Sequence, residues 1–192
     1  MKKLILCLVL VLVCTPGSVT AYDNFFETLG EAIPQEDGVL LVSGVGLTED
    51  AWDEVFLYIE DAEIYDLRTG FAIDFLDIYE GDCVRVVYHQ GLEGYPMALA
   101  LEIYVHAGEP DSADFMVVVS DNIWYSDEGC SFVTVDGKYR ITLMGGVLLY
   151  DEFGYKMSCE EISPGMEMFV WASLVTASFP GQVIPDKIVL LR

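Results

Sequence analysis

The chain has 192 residues, of which 53% are hydrophobic, 21% charged and 12% aromatic. That profile excludes disordered, collagen-like and disulfide-scaffold chains. Asp and Glu number 32 against nine Lys and Arg, a net charge of −23; a polyanion of that density is repelled by phosphate backbones, so nucleic acid is excluded as a partner.

Residues 1–21 read as a signal peptide. Lys2 and Lys3 form a basic start, Leu4 to Cys14 is an unbroken apolar run, and Val19-Thr20-Ala21 supplies a small-residue cleavage site before Tyr22. The run is too short for a spanning helix, which needs about 20 residues. The expectation is therefore a protein secreted or held at the cell envelope, with no membrane-spanning segment after cleavage. Residues 22–37 read as an N-terminal segment with a short helix over Asp23 to Ile33, because Phe26, Leu29 and Ile33 recur at helical spacing.

Strands follow. Gly38 to Val45, Glu54 to Glu60, Phe71 to Phe75, Cys83 to His89 and Ala98 to Val105 are short, rich in Val, Ile, Leu, Tyr and Phe, and bounded by Gly or acidic residues. Gly44-Val45-Gly46 sits after an apolar strand, but Glu49 and Asp50 would repel a pyrophosphate, which discounts a dinucleotide loop. The polar stretch 107–113 reads as a linker, which divides the chain into a first domain, 38–106, and a second, 114–192. In the second, Cys130 to Val135 and Lys138 to Leu143 flank Asp136-Gly137, the signature of a type I′ hairpin turn.

The ends of the two halves follow one template. Ile64-Tyr65-Asp66, Gly70, Ile78, Gly81, the alternating run Val84 to Tyr88, Pro96 and Ile103 match Leu149-Tyr150-Asp151, Gly154, Ile162, Gly165, the run Met168 to Ala172, Pro180 and Ile188. This order, kept at nearly constant spacing, predicts a tandem duplication. Units of this size made of five or six strands bury a core best as small barrels, which also remove exposed strand edges, and each is marginal alone, so the halves are expected to pack together. The fold class expected is all-β, two tandem small barrels with little helix; a single β-sandwich is the alternative. Ile162-Ser163-Pro164-Gly165 through Val170-Trp171, then Phe179-Pro180-Gly181-Gln182 and Lys187-Ile188, resembles small OB-like β-barrel domains of secreted and cell-surface bacterial proteins. The resemblance implies a fold and a compartment and transfers no catalytic residue.

Chemistry is sparse. The two histidines, His89 and His106, stand at strand ends, where they read as exposed, and no serine-hydrolase elbow, zinc-protease or Cys-x-x-Cys motif is present. No catalytic residue is assigned. Three cysteines follow the leader, and Cys130 with Cys159 is the candidate disulfide, since that pair closes a loop within one half. The acids Glu60, Asp61, Glu63 and Asp66 are the candidate Ca²⁺ ligands, although their spacing matches no calcium loop; no other cofactor is expected. If Val84, Val86 and Tyr88 face inward, so do Met168, Val170 and Ala172, and Phe169 and Trp171 point outward. Those two rings, with Trp124 and Tyr125, form the candidate binding surface for a protein or an extracellular glycan. The functional expectation is a non-catalytic binding or structural module; a secreted hydrolase using Asp/Glu pairs and a Ca²⁺-stabilised adhesive domain are the alternatives.

Overall fold

A computed structural model of the chain describes residues 25–90 and 97–191. The signal-peptide residues, and Pro96 of the first repeat, lie outside them. The fold is all-β, with fifteen strands: β1 Phe25–Pro34, β2 Val39–Gly46, β3 Glu54–Tyr58, β4 Glu63–Asp66, β5 Phe71–Ala72, β6 Cys83–Gln90, β7 Met97–Val105, β8 Phe115–Ser126, β9 Gly129–Thr134, β10 Tyr139–Met144, β11 Leu148–Asp151, β12 Glu167–Trp171, β13 Leu174–Val175, β14 Gly181–Ile184 and β15 Lys187–Leu191. Among the described residues helix is confined to two short 3-10 turns, Phe75–Asp77 and Cys159–Glu161. Among the described residues no helix is long and apolar enough to cross a membrane.

In the first half β1 pairs antiparallel with β2 and β6, β2 with β3, and β6 with β7, while β3 runs parallel to β7. Those five strands close a ring. Side chains on the ring's inner face make one core that includes Val84, Val86 and Tyr88, as the alternation predicts. The pairings recur after the linker: β8 with β9 and β12, β9 with β10, β10 parallel to β14, and β12 with β15. Here the chain itself, running from β14 into β15, completes the circuit, and Met168 and Val170 enter the second core.

The repeat template marks turns that both halves need. Gly70, Gly81, Gly154 and Gly165 all take left-handed φ, between 77° and 95°, a region closed to most residues with a Cβ. Each 3-10 turn carries a capping box at the same place, Asp74 with Asp77 and Ser158 with Glu161.

Three local expectations are corrected. The described part of the helix expected over Asp23 to Ile33 is strand instead; Phe25–Pro34 is the central strand β1, so the first barrel begins well before residue 38. Its inward face carries Phe26, Thr28 and Ala32, the last two fully buried, so the period-two pattern is carried in part by small residues that a count of large apolar side chains overlooks. The Asp136-Gly137 hairpin forms, but with a four-residue loop in which only Gly137 has positive φ. The Asp136 carboxylate caps that loop by accepting from the Thr134 hydroxyl and the Lys138 N–H, which removes the need for a type I′ turn. Phe71 to Phe75 divides into the two-residue strand β5 and the start of the first 3-10 turn.

Candidate functional site

The two halves meet through an aromatic cluster outside both cores, formed by Tyr65, Tyr104, Phe169 and Leu191, with Val87, Met116 and Trp171 packed around it. It arises from register. On β4 and β7, Glu63 stands directly beside Glu102 and Tyr65 beside Tyr104, so two carboxylates and two phenols line the outer face of the first barrel. The Tyr65 and Tyr104 rings stack at 6.1 Å. Phe169, projecting outward from β12, meets both edge-on at 5.7 and 5.9 Å, the geometry aromatic quadrupoles favour.

Above this floor opens a cleft of about 550 Å³, walled by Glu63 and Glu102 from the first half and by Glu167 and the turn Ser163–Met166 from the second. Each phenol donates to the glutamate two residues before it: Tyr65 Oη to Glu63 Oε2 at 3.0 Å, and Tyr104 Oη to Glu102 Oε2. Burial, together with the neighbouring glutamates, pushes both phenols up, so they remain donors. Burial also raises the Glu167 carboxyl, and the charges of Glu102 and Glu63 raise it further. Among the described residues no Lys or Arg lines the cleft. The nearby Arg85 guanidinium lies 5.7 Å from the Tyr104 ring centre but is committed to Glu27 at 2.9 Å.

The folded protein therefore retains the Glu167 proton to higher pH than the unfolded chain does. Stability falls as pH rises from the ordinary glutamate range through the raised value, and the penalty is complete above it. Glu167→Gln, which keeps the shape and removes the charge, is expected to raise the melting temperature at neutral pH. The gain should vanish below about pH 4, where wild-type Glu167 is itself neutral. A thermal-denaturation series over that pH range checks both the sign and the window.

The other sequence-predicted residues fall elsewhere. Phe169 is 1% exposed, which removes it as a stacking platform: the outward face of β12 is covered by the other barrel. Trp171 is half-buried, donates its indole N–H to the Asp111 carbonyl, and has the Lys187 ammonium 4.2 Å above its ring. Trp124 and Tyr125 are exposed and do not join these rings, because β12 pairs with residues 115–118 of β8, whereas Trp124 and Tyr125 lie past a register shift and pair only with β9. The Arg140 guanidinium lies over Trp124 at 4.8 Å, and the Tyr125 hydroxyl donates to the Ile162 carbonyl.

Glu60, Asp61, Glu63 and Asp66 do not converge, and no group of three or more metal-ligating side chains forms among the described residues. Glu63 faces the cleft, whereas Asp66 is engaged by His106, whose Nδ1 lies 2.8 Å from its Oδ1. Burial would raise the Asp66 carboxyl, but hydrogen bonds from His106, the Arg68 N–H and the Thr69 hydroxyl hold it below the usual aspartate range. His106 is not the exposed strand-end residue the sequence suggests: it is 9% exposed, and its φ is 61°. Its Nε2 is 2.6 Å from an Arg68 nitrogen. A guanidinium only donates, so Nε2 accepts and Nδ1–H donates to Asp66. With Arg68 in the position a nucleophile would need, the arrangement braces the linker, whose Ser112 hydroxyl and Glu109 N–H both donate to the His106 carbonyl.

Cys130 and Cys159 are free thiols that adjoin one another in the core of the second half, while Cys83 is in the first. Sequence reasoning missed Glu102, Tyr65, Tyr104 and Glu167 as one site, since only strand register juxtaposes them. The usable signal was the repeated tripeptide Glu-Ile-Tyr, at Glu63-Ile64-Tyr65 and Glu102-Ile103-Tyr104. Compared with known proteins, the chain matches no family model, no curated protein and no solved structure.

Proposed function

We propose that the protein is an exported, non-catalytic binding module of two OB-like barrels that captures a basic segment of a partner protein in the cleft between them. The ring order β1-β2-β3-β7-β6, with its parallel β3–β7 pair, supports the OB-like reading. The basic start and apolar run of residues 1–21 support export.

One observation carries the ligand class: Glu63, Glu102 and Glu167 converge on a cleft with no basic side chain among the described residues of its lining. A cation entering there neutralises carboxylates that now repel one another. It also meets the Tyr65 and Tyr104 rings, which attract a lysine or arginine head through their π-faces. Burial of Phe169, and the Lys187 ammonium over the half-buried Trp171 ring, count against a glycan stacking on β12.

The test uses fluorescence anisotropy with a lysine-containing peptide at physiological ionic strength, beside the same peptide with its lysines acetylated. The wild type should bind only the unmodified peptide. Glu63→Gln, Glu102→Gln and Glu167→Gln combined should weaken it roughly tenfold or more, the scale of one charge-pair coupling of about 1.4 kcal/mol. Glu36→Gln, Glu49→Gln and Glu128→Gln, which remove the same charge from exposed sites, should leave binding within about twofold. Equal loss in the two triple variants would reduce the effect to bulk charge and end the reading. A second reading, a carboxylate-pair hydrolase, is favoured only by the protonated bias of Glu167 beside two other carboxylates. Cleavage of a polysaccharide by the wild type, abolished by Glu167→Gln, would put it in place of the binding module.

A further inference from the structure

We propose that Cys130 and Cys159 are a redox-modifiable pair that closes to a disulfide, pinning the Cys159–Glu161 turn to strand β9 of the second barrel. The sequence singles out the pair only because it closes a loop within one half; the fold adds the contacts that bring the two residues together. Cys130 lies on β9 directly opposite Tyr125 of β8. The Tyr125 hydroxyl donates to the Ile162 carbonyl at 2.9 Å, and the Ile162 N–H donates to the Cys159 carbonyl at 3.2 Å. That chain of contacts holds the 3-10 turn against the strand, both side chains pack into the same core, and the two thiols adjoin one another there. Cys83 lies in the other sheet, paired with Glu31.

The environments of the two thiols differ, and the difference sets the order of events. Cys130 is 3% exposed, and burial, then the adjoining Cys159, pushes its thiol up. Cys159 is half-buried on a surface turn, so it is the thiol an oxidant reaches. In the presence of a small disulfide, the Cys159 thiolate attacks one of its sulfurs and expels the first thiolate, leaving a mixed disulfide. The Cys130 thiolate then attacks the Cys159 sulfur and expels the second. The two protein thiols lose two protons and two electrons, and the reagent leaves as two thiols. Because Cys130 reacts only as thiolate and its ionisation is suppressed, the second step is the slow one and accelerates with rising pH. The turn pinned by this bond leads into Ser163–Met166, a wall of the cleft, but the proposal does not depend on what the cleft binds.

The experiment incubates the full chain with glutathione disulfide and follows free thiols, intact mass and melting temperature. The expected product has lost two thiols and two hydrogens, carries no glutathione, and yields a crosslinked Cys130–Cys159 peptide. Closing a loop of this length should raise the melting temperature by roughly 10 °C, reversibly with a dithiol reductant. Cys130→Ala should accumulate the glutathione adduct at Cys159, whereas Cys159→Ala should stay largely unmodified at Cys130. The wild-type measurement needs no variant to fold. A crosslink through Cys83, a stable glutathione adduct on the wild type, or two persistently free thiols under conditions that oxidise the unfolded chain would each overturn the proposal.

Discussion

Phe169→Ala is expected to cost the folded protein about 3–5 kcal/mol, the range for emptying a fully buried phenylalanine site. The ring lies in neither barrel core. It fills the junction between the barrels, edge-on to Tyr65 and Tyr104 and 6.5 Å from Trp171, so its loss removes packing from both sides of one cavity. That cavity cannot close easily. Each neighbour is tied to something else: Tyr65 and Tyr104 to their glutamates, and Trp171 to the Asp111 carbonyl. Gly70, whose left-handed turn lets Trp171 approach, would bring a Cβ within 2.6 Å of that ring, so the packing there has no slack. The melting temperature should fall by roughly 10 °C, and the cleft should lose its floor, and with it the peptide affinity proposed for it. Trp124→Ala, removing an aromatic of greater size that is 47% exposed, should cost under about 1 kcal/mol. Equal costs for the two variants would mean that the barrels do not stabilise one another.

The fold was largely legible because the sequence patterns that define strands are local. Val84 to Tyr88 and Met168 to Val170 alternate cleanly, and the strands drawn from β-branched runs match those observed within a residue or two. Outward placement of Phe169 and Trp171 was also legible, since alternation fixes the face. What covers that face was not, because alternation says nothing about the neighbour beyond it. The cleft depends on the parallel register of β4 and β7, which brings Glu63 to Glu102 and Tyr65 to Tyr104 across 39 residues of chain. In a chain with 32 acids, no count of carboxylates singles out the three that converge. His106 was misread for a similar reason: its burial comes from Asp66 and Arg68, which are brought to it by the β4–β7 pairing and the turn after β4.

Gly44→Ala should be at least as damaging as many core truncations, with a loss of about 3 kcal/mol or more, although it adds a single methyl group. Glycine at this position has no role in a phosphate loop, and the structure gives it another. Gly44 on β2 faces Gly30 on β1, and a Cβ on Gly44 would lie 2.0 Å from the Leu29 carbonyl oxygen and 2.4 Å from the Gly30 Cα. Both obstacles are backbone, so no rotamer change relieves them; β1 and β2 must part. β1 is the strand that joins the β2–β3 side of the ring to β6, and a Gly–Gly contact there lets the strands close on one another as the sheet bends, the use glycine has at barrel corners. Parting them strains the closure and the pairings on either side, so the expected signature is loss of near-ultraviolet circular dichroism and early thermal unfolding of the first half. Gly145→Ala is the matched control. Its added Cβ meets nothing within 4 Å and its φ is not left-handed, so stability should stay within about 0.5 kcal/mol. If Gly44→Ala behaves like that control, the first ring does not depend on close approach of β1 and β2, and the explanation for its glycine pair fails.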